Sequence, residues 1–247
     1  MAAADGPAAE QRAALWQAAD LYASAGQPAN EARVCELIVN RFPAPAAEAL
    51  EARQRLAALA AAAGNWQARR HWLESIVAAD EAPGARTDRS RFLASMAAIE
   101  LARPARDAFL SIRLTAPLDL SLKLKKARME EALRAYARAA DYGVAPVTTA
   151  ATFETAEIYY QFSRDLLASE RPQDLDADAL EEYELLLEEQ AFPFEEKAID
   201  MFRANADRAA DGVYDEWVRA SFARLSVMSP ARYARTERSE NVAAWLD

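Results

Sequence analysis

One cysteine and one histidine occur in 247 residues, and each scarcity closes off a class of chemistry. Cys35 alone allows no intramolecular disulfide and no cysteine-based zinc site. It stands among Val34, Leu37, Ile38 and Val39, which predicts a buried, inert thiol. His71 lies between Arg70 and Trp72 with no nucleophile motif near it, so neither a Ser-His-Asp nor a Cys-His system is expected. Six glycines and eleven prolines are too few for the many tight turns of an all-β protein. No run reaches the ~18 to 20 apolar residues that a membrane-spanning helix needs, so no direct membrane insertion is expected. The opening stretch MAAADGPAAE has neither the basic n-region nor the apolar h-region of a signal peptide. No glycine-rich phosphate loop occurs.

What the chain has is alanine, leucine, glutamate and arginine, all strong helix formers, and the fold class expected is all-α. The net charge of −10 is unevenly spread. Between Phe153 and Glu196 there are fourteen carboxylates and two basic residues, Arg164 and Arg171, a local balance of −12. The stretch before it has 17 acidic and 19 basic residues, and the stretch after it eight of each. Nucleic acid calls for a basic footprint and is not an expected partner. A basic protein partner suits the acidic segment; a solvated helix face is the plainer reading of it.

Helical periodicity runs along the whole chain. Leu15, Trp16, Ala19, Leu21 and Tyr22 form a stripe ending near Gly26, and Pro28 and Asn30 open a second helix carrying Ala32, Cys35, Ile38 and Val39. A third runs through Leu50, Leu56 and Leu59 to Gly64, and NWQARRHWLESIVAAD gives a fourth with Trp66, Leu73, Ile76 and Val77. LYASAGQPANEA and LAAAAGNWQARR repeat one plan: apolar helix, glycine, short turn, helix. The glycines lie 38 residues apart, and Ala32 and Ala68 lie 36 apart. Such a period resembles the tetratricopeptide repeat, near 34 residues, with Tyr22 and Trp72 in its large aromatic positions. Residues 1–117 are therefore expected as TPR-like antiparallel pairs, about 10–25 with 29–41 and about 46–63 with 65–79. Tyr22, Trp66 and Trp72 are expected in or beside the packing seams.

Further helical stretches are expected to stop at Pro104 and Pro117. SLKLKKARMEEALRAYARAADYG makes a long helix closed by Gly143, and its basic start suits a helix N-terminal segment or a partner contact. Another helix carries Phe153, Ile158, Tyr159, Phe162, Leu166 and Leu167. In DADALEEYELLLEEQ, Asp178 and Glu181 are spaced as a capping box. Phe192-Pro193-Phe194 reads as a joint where Pro193 starts a new helix and at least one ring is buried. A last helix carries Trp217, Val218, Ser221, Phe222 and Leu225. Residues 118–230 thus continue the helical array, and 231–247 form a polar tail, ordered only where Tyr233 or Trp245 docks.

The chemistry-bearing patterns are weak. Asp174, Asp176 and Asp178 open a calcium-loop spacing, but positions six and twelve hold Ala179 and Leu185 instead of glycine and glutamate. Helix capping explains them better. Glu181, Glu184 and Glu188 share a helix face, and these three are the candidate protein-binding residues. No catalytic, cofactor-binding or metal residue is assigned. The rival reading is a carboxylate-based enzyme or accessory domain acting on glycan or peptidoglycan, which needs two acids facing a closed pocket. A cytoplasmic TPR regulator is a third.

Three blocks resemble the C-terminal part of bacterial TPR proteins associated with TonB- and Tol-like energised envelope systems and with gliding motility. They are LKLKKARMEEALRAYARAADYGVAPVTTAATFETAEIYYQFSRDLLASERP, LEEYELLLEEQAFPFEEKAIDMFRANADR and GVYDEWVRASFARLSVMSPARYAR. The resemblance covers about residues 118–237; SERP and LLEEQAFPFEEKAI are its most distinctive parts. It implies a non-enzymatic periplasmic scaffold working with TolQ/TolR- or ExbB/ExbD-type complexes, and it brings no catalytic residues. Members are usually longer and exported, so the resemblance implies that this chain is a fragment.

Overall fold

A computed structural model describes residues 6–44, 46–82 and 86–234. Trp245, and the part of the expected tail from 235 on, lie outside the described residues. Ten α-helices follow one another: α1 (Gly6–Ser24), α2 (Pro28–Arg41), α3 (Ala46–Ala62), α4 (Trp66–Glu81), α5 (Asp88–Ser111), α6 (Leu118–Ala140), α7 (Ala145–Leu167), α8 (Ala177–Asp207), α9 (Glu216–Met228) and α10 (Pro230–Tyr233). A 3-10 turn at Arg208–Asp211 separates α8 from α9. No strand occurs among the described residues, so the all-α expectation holds. Consecutive helices pack: α1 on α2, α2 on α3, α3 on α4, α8 on α9, and α9 on α10.

The described residues divide into two compact units. One holds those up to Phe109 together with Glu130–Thr148; the other holds Leu110–Met129 and those from Thr149 onward.

In the first unit, α1 and α2 are joined by three residues, as are α3 and α4, so each packed pair must run antiparallel. The turn is set by Gly26 and Gly64, at φ 65° and 66°. The amide of Gln27 donates to the carbonyl of Tyr22 at 2.9 Å, and that of Asn65 to Ala60 at 2.9 Å. That is the Schellman closure of a helix C-terminus. A Cβ at either glycine would meet nothing within 4 Å, so the left-handed backbone alone demands glycine there. Restarting the helix falls to Pro28 at the first turn of α2 and to Asn65, whose side chain accepts from the Ala68 amide at 3.0 Å.

Two apolar clusters fill this unit. Ala19 of α1, Val34, Cys35 and Ile38 of α2, and Ala52 and Leu56 of α3 form one. Leu50 and Ala57 of α3, Leu73 and Ile76 of α4, and Leu93, Ala94 and Ala97 of α5 form the other. Trp72 touches both, and Tyr22 packs on the first. Trp66, the first residue of α4, is more exposed than either and lies in neither cluster; it borders a cleft shared with Leu101, Pro104 and Ala105 of α5. Cys35 is fully buried, and desolvation pushes its thiol up to about 11.

In the second unit Ala156 of α7, Ala198, Phe202 and Ala206 of α8, and Leu225 of α9 make the core. A polar network runs beside it. Asn205 is fully buried and donates to the Thr149 carbonyl at 3.2 Å and to Ser221 Oγ at 3.0 Å. Thr149 Oγ1 donates to Asp215, which caps α9 by accepting from the amides of Trp217 and Val218 at 3.0 and 2.9 Å. Tyr233 packs on Phe222, with ring centroids 6.4 Å apart.

Both internal prolines correct the sequence reading. Pro104 lies inside α5 and Pro193 inside α8, where helix ends had been expected. Each costs a helix about 3 kcal/mol in the interior, because it cannot donate to the carbonyl four residues back. Both prolines are exposed, so water can serve the carbonyls of Glu100 and Glu189. Packing on either side of each proline then carries the helix through.

Candidate functional site

The candidate site is the first half of α8. Its helix start is set by Asp176, whose carboxylate accepts from the Ala179 amide at 2.9 Å. Asp178, expected to cap, instead lies within the first turn, where the helix dipole still favours its charge. The capping box with Glu181 is therefore not formed. The two halves of α8 bury different amounts. Ala198, Phe202, Asn205 and Ala206 of the second half are buried, but only Leu187 and Ala191 of the first half are.

Phe194 and Phe192 part company at the proline. Phe194 turns inward, mostly buried, with its ring edge-on to Phe162 at 4.5 Å. Phe192 is 57% exposed, as are Leu185 at 57% and Leu186 at 51%. One of the two rings was expected to be mostly buried, and Phe194 is that ring. A helix turns 100° per residue, so Leu185 and Phe192, seven apart, share the outward face with Glu181 and Glu188.

All three sequence-predicted site residues are exposed on this helix. They are not equivalent. Glu184 lies 3.5 Å from Arg171 Nε, and Arg171 donates to the carbonyls of Ser169 at 2.6 Å and Leu167 at 2.9 Å. That arginine ties the C-terminal end of α7, where carbonyls lack helical partners, to α8. Glu184 is thus part of a clasp. Glu181 and Glu188, together with Glu182 and Glu189, form no ion pair among the described residues.

Beside the helix runs an apolar groove of about 200 Å³. Leu118 and Leu122 of α6 and Leu166 of α7 face Tyr183, Leu187 and Phe194 of α8 across it. Sequence reasoning missed this groove, because its walls come from three helices far apart in the chain. The exposed leucines had a signal: a Leu-Leu-Leu run cannot bury all three side chains on one helix stripe.

The basic start of α6 also resolves into two roles. Lys125 is fully buried; it donates to the Ile112 carbonyl at 2.7 Å and pairs with Asp165 at 2.5 Å. Lys123 and Lys126 are exposed. His71 is exposed with its ring 4.8 Å from Trp72. No group of three or more metal-ligating side chains occurs among the described residues, and none of the described helices is long and apolar enough to cross a membrane. Comparison with protein-family models, curated proteins and solved structures finds no match to this chain.

Proposed function

We propose that the chain is a non-enzymatic, TPR-like scaffold that docks a protein partner on the outward face of α8. The observation that carries this is exposed Leu185 and Phe192 on one face with Glu181 and Glu188, which form no ion pair among the described residues. Contiguous exposed apolar side chains rimmed by charge are a mark of interaction surfaces. Aromatic and aliphatic anchors supply most of the binding energy there, while the charges set rate and selectivity.

The solenoid reading is supported by how α3 is tied to other helices. Glu48 pairs with Arg12 of α1 at 2.7 Å, and Glu51 with Arg89 of α5 at 2.6 Å. First helices of successive pairs lie side by side in a stacked array. The setting we propose, a bacterial periplasmic assembly of the TonB, Tol or gliding-motility kind with TolQ/TolR- or ExbB/ExbD-type partners, rests on the sequence resemblance. The carboxylate-enzyme reading is disfavoured because Glu181, Glu184 and Glu188 stand exposed along one helix instead of converging on an enclosed pocket.

Affinity capture from the native envelope tests this. The wild-type chain is expected to retain an identifiable envelope motor protein, and a Leu185→Glu/Phe192→Glu variant of unchanged helicity is expected to lose it. Equal capture by both would overturn the docking face.

A further inference from the structure

The first unit holds a cavity of about 330 Å³ walled by α4, α5 and α6. Its apolar lining is mostly small: Ala98 and Ala102 of α5 and Ala135 of α6, with Val77 of α4 and Leu101 of α5. Alanine at three positions leaves open the space that longer side chains would fill. Glu81, Arg138 and Asp141 line the same cavity, all three exposed. None of them forms an ion pair among the described residues. Arg86 lines it too, but the buried Asp80 engages its guanidinium at 3.0 Å, and it lies 5.8 Å over the Tyr142 ring. Burial pushes the Tyr142 phenol up, Glu81 and Asp80 push it further, and Arg86 and Arg138 pull it back. Charges from α4 and α6 thus converge on one aromatic wall. Toward Trp66 the cleft continues, but there Arg70 and Glu74 satisfy each other at 2.8 Å. The charge left over for a ligand stands at the Tyr142 end.

We propose that this cavity binds a free α-amino acid with a basic side chain, of the lysine or arginine class. The charges select that class. Two carboxylates and one guanidinium without partners in the chain are complemented by two cations and one carboxylate. A basic amino acid carries that set as its α-ammonium, its side-chain cation and its α-carboxylate. The carboxylate meets Arg138, whose planar fork suits it. The two cations meet Glu81 and Asp141. Between them the aliphatic stem lies along the alanine lining, as long basic side chains do on apolar surface. A phosphate or nucleotide would face two carboxylates for one free guanidinium and is repelled on balance. The size agrees, since small-molecule sites begin at about 300 Å³. The cavity belongs to the first unit, so the proposal does not rest on the docking face of α8.

Isothermal titration calorimetry of the full chain with L-lysine and with L-arginine tests the site. At least one of the two is expected to bind. Removing the α-ammonium by acetylation, the carboxylate by decarboxylation, or the side-chain cation by using norleucine should each weaken binding at least about tenfold. Arg138→Gln should weaken it by a similar factor and erase the preference for the amino acid over its decarboxylated amine. Ala135→Leu fills the cavity without touching a charge and should abolish binding. Ala135 is partly buried, whereas Arg138 is exposed, so the arginine variant keeps the test decisive even where the leucine disturbs packing. No binding of either amino acid at about 10 mM, where even a millimolar Kd registers, would overturn the site. Binding that both variants leave intact would overturn it as well, placing the ligand on carboxylates elsewhere in this acidic chain. So would equal binding of the amino acid and its amine by the wild type, since Arg138 would then select nothing.

Discussion

Helices α3 and α8 are both rich in charge, and they use it in opposite ways. On α3, Glu48 holds Arg12 and Glu51 holds Arg89, while Arg55 holds Asp20 at 2.8 Å and Glu31 at 2.9 Å. Arg53 donates to Ser75 Oγ at 2.8 Å. All four charged side chains there reach a neighbouring helix. Among the described residues, only Glu184 on the first half of α8 has an ion-pair partner. An exposed ion pair such as Glu51–Arg89 contributes about 1 kcal/mol at most, so braces of that kind fix orientation more than they add stability. The difference teaches that composition alone does not separate a framework helix from a display helix. The presence of arginine within reach does.

The sharpest way to break this comparison lies within α8 itself. Phe202→Ala, at a fully buried position of the second half, should lower unfolding free energy by about 3–5 kcal/mol in a denaturant titration. A loss below 1 kcal/mol would mean that the second half of α8 is not anchored as described.

Cys35 probes the braced side. With its thiol pushed up to about 11 from an ordinary 9.0, its thiolate population at pH 8 should be about a hundredfold below that of an exposed cysteine. A disulfide reagent should therefore label it only on unfolding. The folded thiol ionises later than the unfolded one, so its contribution to stability is complete below pH 9 and is lost as pH rises toward 11. Rapid labelling of the native chain would contradict the packing of α2 on α1 and α3.

Arg55→Met leaves Glu31, itself nearly buried, without its cation. A loss of about 1–3 kcal/mol is expected in the same titration, and it should shrink in the Arg55→Met/Glu31→Gln pair. Smallest of all should be Leu185→Ala/Phe192→Ala on the display face, within about 0.5 kcal/mol of wild type. A larger loss would show these side chains to be core.

The helix pairs of the first unit were legible because their signals are local. Gly26, Gly64, Pro28 and the apolar stripes each act within a turn or two of their own position. Pro104 and Pro193 misled for the same reason: a proline's local cost was visible, and the tertiary packing that outweighs it was not. Asp176 and Asp178 were equally good caps by type, and only the start of packing selects the first. At the candidate site the charge run was legible; the outward turn of Phe192 was not, since the Phe-Pro-Phe stretch read as a joint with packed rings. The groove was not, nor was the burial of Lys125, because both depend on α6 and α7 meeting. Neither Asp165 nor Ile112 is near Lys125 in sequence.

The proline inside α8 has a mechanical consequence. At 31 residues the helix is about 46 Å long. Its second half is clamped in the core, and its first half is held by Leu187, Ala191 and the Arg171 clasp. Pro193 removes one rung between them, so bending stiffness has its minimum at residues 189–193. A load applied at Leu185 or Glu188 would be taken up as flexure there before it strained Phe202. The helix is a lever with a compliant joint, able to transmit torque along its length without unseating its root.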